Sequence, residues 1–176
     1  MQPMLFPNEW PILLNFALNL PENSKIVEWG SGGSTVEFSR NIRPDQKIIS
    51  IEHDREWYDA VLDVLASDLS ENWIYHYKPD TGILPPKAPG SIETELPIGF
   101  ENYILPNDFI LDADMYFIDG ICRSIIALML LAKAKNRNAI VLIHDYNRRS
   151  IYYDWVVDLF PKSERLGTSL IRLYMS

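Results

Sequence analysis

Apolar residues in this chain fall into short continuous runs separated by stretches with helical spacing. The runs Lys25–Glu28, Lys47–Glu52, Asn72–Tyr77, Met115–Gly120 and Ala139–Asp145 read as strands, the first, second, fourth and fifth rich in Ile, Val or Phe and with a carboxylate at or next to their ends. Between them, Trp57, Val61, Val64 and Leu65 recur at helical spacing with Asp59, Asp63 and Asp68 elsewhere, which predicts a helix over Asp54–Ser70. Further helices are predicted over Asn8–Leu20, Val36–Arg40, Arg123–Lys135 and Ser150–Phe160. Asn8 can cap the first of these, and Pro161 stops the last. Arg165–Gly167 and Leu170–Met175 read as two closing strands.

Strands alternating with helices predict an α/β domain with a mostly parallel sheet, helices on both faces and an antiparallel hairpin at one edge. One stretch breaks the alternation. From Lys78 to about Asp112 the chain holds Pro79, Pro85, Pro86, Pro89, Pro97 and Pro106 together with Gly82, Gly90 and Gly99. It also keeps Ile98, Phe100, Tyr103, Ile104, Leu105 and Phe109, so it reads as a lid that packs, with a short helix at Phe100–Tyr103. No repeat or long linker divides the chain, and residues 1–176 are expected to form one domain.

The candidate chemistry sits at strand ends. Glu28 closes the first strand, and Gly30-Ser31-Gly32-Gly33-Ser34-Thr35 follows at once. The glycines let backbone N–H groups approach a ligand, and Ser34 or Thr35 can cap a helix whose positive end faces the same spot. Glu52 lies about twenty residues past that loop, where a carboxylate can accept from ribose hydroxyls. Asp119 and Asp145 close the fourth and fifth strands, and ligands of open parallel sheets bind beyond such ends.

Glu28, Gly30 and Gly32 resemble the first motif of class I S-adenosylmethionine-dependent methyltransferases, with Ser34 in place of the third glycine. Asp119-Gly120 with Arg123, and His144-Asp145-Tyr146 with Arg148 and Arg149, resemble small methyltransferase-like proteins of unassigned substrate. The resemblance runs from about Ile26 to the C-terminus. It implies a Rossmann-like seven-stranded sheet in the order 3-2-1-4-5-7-6 with the last strand antiparallel. It also implies S-adenosyl-L-methionine as cofactor, held by the loop residues Gly30, Ser31, Gly32, Gly33, Ser34 and Thr35. Glu28 is then expected at the methionine end, Glu52 at the ribose, His53 at the adenine edge, Asp80 at the adenine amino group, and Asp119 and Gly120 beside them. Asp80 reads equally as an ordinary turn aspartate.

For catalysis the expected group is His144, Asp145, Tyr146 and Asp119, with His144 or Asp145 as base and Tyr146 or Tyr103 as an orienting hydroxyl. Arg123 is the expected main anchor of an anionic acceptor, with Arg149 second and Tyr103 lining the pocket. The plainer reading of Arg123 is a structural ion pair with Asp119. Asp119 and Asp145 match positions that bind magnesium in catechol-type O-methyltransferases, but Tyr146 replaces the expected asparagine, so no metal is expected. His53 and His144 close strands that this order holds apart, which disfavours a two-histidine site.

Charge narrows the partners. The 176 residues carry a formal net charge of -8, which disfavours nucleic-acid substrates. The single Cys122, in an apolar segment, reads as a core thiol and suits a reducing compartment. No signal peptide or membrane span is read, so the expectation is a cytoplasmic enzyme with a small-molecule substrate, no nucleic acid and no membrane partner; a homo-oligomer stays open. The competing readings are a cofactor-binding or regulatory module of the same fold, and a nicotinamide-dependent oxidoreductase, whose fingerprint Thr35 interrupts.

Overall fold

The computed structural model describes residues 8–66, 73–79, 99–105, 107–148 and 150–176. Seven strands form one sheet: β1 (Lys25–Trp29), β2 (Lys47–Glu52), β3 (Trp73–Tyr77), β4 (Met115–Ile118), β5 (Ile140–Ile143), β6 (Lys162–Arg165) and β7 (Ile171–Tyr174). Their spatial order is β3-β2-β1-β4-β5-β7-β6, as the motif resemblance implies. β1 to β5 pair in parallel, and β7 runs antiparallel to both β5 and β6.

The helices are α1 (Glu9–Leu18), α2 (Gly33–Asn41), α3 (Arg55–Leu65), α4 (Glu101–Ile104), α5 (Arg123–Lys133) and α6 (Ser150–Val157). Alternation along each strand divides the core between two layers. Ile26, Ile48, Met115, Phe117 and Leu142 pack with Leu13, Val36, Phe38, Val61 and Leu65 of α1 to α3. Val27, Trp29, Ile51, Tyr116, Ile118 and Ile143 pack with Tyr103, Ile126, Leu130, Tyr153 and Val156 of α4 to α6. The central strands β4 and β5 are covered on both faces, which is why they appear in the sequence as unbroken apolar runs. No helix among the described residues is long and apolar enough to cross a membrane.

Several boundaries differ from the sequence reading. α2 begins at Gly33, not Val36, so Ser34 and Thr35 belong to its first turn, from which the Thr35 hydroxyl caps the helix by accepting from the Gly32 N–H at 2.8 Å. α6 ends at Val157: Leu159 and Phe160 donate to the carbonyls three residues back, at 3.1 Å each, before Pro161 removes the next donor. β6 lies at Lys162–Arg165 and not at Arg165–Gly167. Leu166 N–H donates to the Leu170 carbonyl at 2.9 Å, which leaves Gly167 in the turn between β6 and β7. Residues 67–72 and most of the expected lid lie outside the described residues; its final part holds α4 and a 3-10 turn, Asp108–Leu111.

Candidate functional site

The parallel strands all end at one edge of the sheet, and β1 and β4 are adjacent although β1 also neighbours β2. The order therefore reverses at β1, and the crevice where ligands of such sheets bind opens there. Glu28 points toward the layer of α1 to α3. It pairs in register with Ser50 of β2, whose hydroxyl donates to Glu28 Oε2 at 2.8 Å. Because α2 starts directly after the loop, the Ser34 and Thr35 hydroxyls also donate to Glu28, at 2.5 and 2.7 Å. The carboxyl is fully buried, and burial pushes its pKa up to about 7 against the partial relief of these hydroxyls. Glu28, expected at the methionine end of a cofactor, is turned inward here and ties the loop to α2 and β2.

Glu52 stands at the other side of the loop. Its Oε2 accepts from the backbone N–H and the hydroxyl of Ser31, at 2.9 and 3.0 Å. Its Oε1 accepts from the N–H groups of His53 and Asp54, at 2.8 and 2.9 Å, and lies 2.9 Å from His53 Nδ1. Burial raises the carboxyl's pKa, but the His53 ring and these backbone donors outweigh it and leave it lowered, so the group is ionised at neutral pH. Asp54 caps α3, accepting from Trp57 N–H at 2.9 Å. The Trp57 indole N–H donates to the Ser31 carbonyl and lies beside Gly32.

Two glycines bring the β1 and β4 loops together. Gly30 has φ +85°, and a Cβ there would stand 2.4 Å from Gly120 N. A Cβ on Gly120 would overlap the Tyr103 hydroxyl. Tyr103 is fully buried, with its ring 5.2 Å from that of His53, and its carbonyl accepts from the Trp29 indole N–H at 3.0 Å. The expected adenine edge at His53 is thus lined by the protein's own Phe100 and Tyr103 rings.

Beyond β4 and β5 lies a charged cluster. His144 Nδ1 is 2.7 Å from Asp119 Oδ1. Arg123, at the start of α5, donates to the Asp119 carbonyl at 2.7 Å and lies 3.4 Å from Asp119 Oδ1 and 3.5 Å from Asp145 Oδ2. It also donates to the Tyr153 hydroxyl at 3.2 Å. Burial lowers the Arg123 pKa, and Asp119, Tyr153 and Asp145 more than restore it. Burial likewise lowers that of His144, and Asp119 and Asp145 reverse the effect, so the imidazole's pKa is raised. Asp145 has φ +60°, a backbone region uncommon outside glycine that short polar residues tolerate best. The side chains of Asp119 and Asp145 are the parts of this cluster that reach the surface, at 25% and 18% exposure.

Ligand-capable atoms of Asp119, His144 and Asp145 lie within 4.8 Å of one another. A hard divalent cation does not fit this arrangement, because Arg123 already stands against both carboxylates and His144 holds Asp119 Oδ1. Among the described residues, then, Arg123 has the structural pairing that was the plainer reading of it, and the Tyr146 hydroxyl is given to Asp154 of α6. Asp80 and Arg149 lie outside the described residues.

The sequence reading missed Glu9. It is fully buried, and its Oε2 lies 3.4 Å from His144 Nε2. The signal was present: Glu9, Leu13 and Ala17 are the buried stripe of α1, so a carboxylate occupies a position where helical periodicity calls for an apolar residue.

No family model matches the chain, and no curated protein does. Many solved structures share its fold. A precorrin-6y C5,15-methyltransferase from Geobacter metallireducens has a TM-score of 0.63 at 15% identity, over 100% of this chain and 94% of its own. A putative caffeoyl-CoA O-methyltransferase from Staphylococcus aureus has 0.63 at 16%, over 98% and 86%. The O-methyltransferase TomG from Streptomyces achromogenes, solved in complex with S-adenosylmethionine, has 0.62 at 14%, over 97% and 81%. The chain therefore has the fold of S-adenosylmethionine-dependent methyltransferases.

Proposed function

We propose that this chain is an S-adenosylmethionine-dependent methyltransferase acting on a small acceptor through an oxygen nucleophile. The observation that carries this reading is the pair of buried acids around the glycine loop. Glu28 ties the loop to α2, and Glu52, ionised, meets the loop backbone at Ser31. In the proposal, the loop from Gly30 to Thr35 and the N-terminal end of α2 hold the methionine portion, while Glu52 takes the ribose and His53 borders the adenine. Bound there, the cofactor supplies a methyl group activated by its sulfonium.

The protein's task is then to align an acceptor and remove its proton. Asp119 and Asp145 are the surface-reaching carboxylates of the β4–β5 edge, and either can accept the proton of an attacking hydroxyl. His144 is less suited to this role, since it is buried and both ring nitrogens face carboxylates. That two of the neighbours named above are O-methyltransferases favours oxygen as the acceptor atom. The anionic acceptor expected from the arginines has less support. Arg123 is engaged by Asp119, Asp145 and Tyr153, so an anion site rests on Arg149.

Calorimetry with S-adenosylhomocysteine tests the reading. Glu52→Ala is expected to weaken binding by about 1.5–3 kcal/mol, the worth of hydrogen bonds to a charged group. Unchanged affinity in the folded variant removes Glu52 from the cofactor site, and absence of binding to the unaltered protein removes the methyltransferase reading itself.

A further inference from the structure

We propose that Glu9 is a positioning residue for the acceptor side of this site: from the first turn of α1 it holds His144, and through His144 it fixes the orientation of the Asp119 carboxylate. The inference rests on the proposed methyl transfer for its catalytic part, but its geometry stands apart from it.

Glu9 Oε1 accepts the Ser169 backbone N–H at 2.5 Å, and both of its oxygens lie within 3.2 Å of the Ser169 hydroxyl. The chain leaves room for it at Gly167, where a Cβ would stand 2.8 Å from Glu9 Cγ. The Ser169 carbonyl in turn accepts from Tyr146 N–H at 2.9 Å, which ties the same turn to the end of β5. Glu9 is thus anchored from a second side and presents Oε2 to His144 Nε2 at 3.4 Å.

The other ring nitrogen of His144 meets Asp119 Oδ1 at 2.7 Å. An imidazole between two carboxylates is favoured with both nitrogens protonated; Nδ1 then donates to Asp119, while Nε2, which has no hydrogen-bond partner among the described residues, carries its charge to Glu9 across 3.4 Å. His144 so held cannot accept a substrate proton; it keeps Asp119 Oδ1 as an acceptor and leaves the rest of that carboxylate to the exposed side. The charged groups facing His144 are Glu9 from α1, Asp119 after β4, Arg123 from α5 and Asp145, with the Phe117 ring of β4 at 6.4 Å. Removing Glu9 takes away one of the carboxylates that support the imidazolium. An acid that merely anchored the β6–β7 turn would have no influence on the His144 ring.

The test is the nitrogen NMR titration of His144 in the full chain, in the unaltered protein and in Glu9→Gln. In the unaltered protein both ring nitrogens are expected to carry protons at pH 7.5. In Glu9→Gln the midpoint is expected to fall by about one pH unit, and methyl transfer at saturating acceptor to slow about 10- to 100-fold with S-adenosylhomocysteine affinity unchanged. A neutral His144 at pH 7.5 in the unaltered protein overturns the proposal even if the variant fails to fold. So does an unmoved midpoint in Glu9→Gln, or a lowered midpoint with an unaltered transfer rate. If the His144 titration behaves as expected but no acceptor is ever methylated, the methyltransferase reading fails and the Glu9–His144–Asp119 coupling remains.

Discussion

Glu28 shows what one buried acid does to the energetics of its surroundings. With its pKa raised from 4.5 to about 7, the folded protein holds a proton there that the unfolded chain has already released. Folding stability therefore falls as pH rises through that interval and levels off above it. The contribution amounts to about 3 kcal/mol across the window. Glu28→Gln keeps the shape and one acceptor oxygen, enough for the Thr35 and Ser50 hydroxyls on one side, but cannot ionise. Denaturant unfolding between pH 4.5 and 7.5 is expected to show a flatter dependence in Glu28→Gln than in the unaltered protein; parallel curves would mean that Glu28 ionises as freely in the fold as outside it.

At the scale of elements, local rules explain why some segments were legible and others were not. β1, β2, β4 and β5 are apolar because they are buried, so their runs announce them. β6 is exposed at all four residues and pairs with β7 alone among the described strands, so no apolar pattern marks it and its bounds were misread. The amphipathic stripe of α3 was legible from its spacing, and Asp54, read as the first residue of that helix, stands just before it as the N-cap. Asp54→Ala is expected to cost about 0.5–2 kcal/mol in chemical unfolding, the usual worth of an N-cap; no loss would mean that α3 is held by packing alone. The site divides along the same line. The loop and Glu52 lie close in sequence and follow a motif, so they could be named in advance. Glu9 and Ser169 are 160 residues apart, and the inward turn of Glu28 depends on Ser50 arriving across the sheet; neither has a local signature.

At the scale of the whole molecule, the β4–β5 cluster joins α1, α5, both strand ends and the β6–β7 turn through opposite charges: Arg123 and His144 against Asp119, Asp145 and Glu9. The Arg123 guanidinium already stands against both carboxylates that a metal would use. Methyl transfer is therefore expected to survive EDTA; loss with EDTA and recovery with magnesium would show that Arg123 yields its place. The contact between the Trp29 indole and the Tyr103 carbonyl has a different use. It joins β1 to α4, while Trp57 touches the loop at Ser31 and Trp155 lies exposed on α6. Each indole N–H gives its own resonance, so the fold carries a built-in set of probes with an internal control. Titration with S-adenosylhomocysteine is expected to move the Trp29 and Trp57 signals and leave that of Trp155 in place. A shift confined to Trp155 would put the ligand elsewhere, and the protein would have reported it without a label or a known substrate.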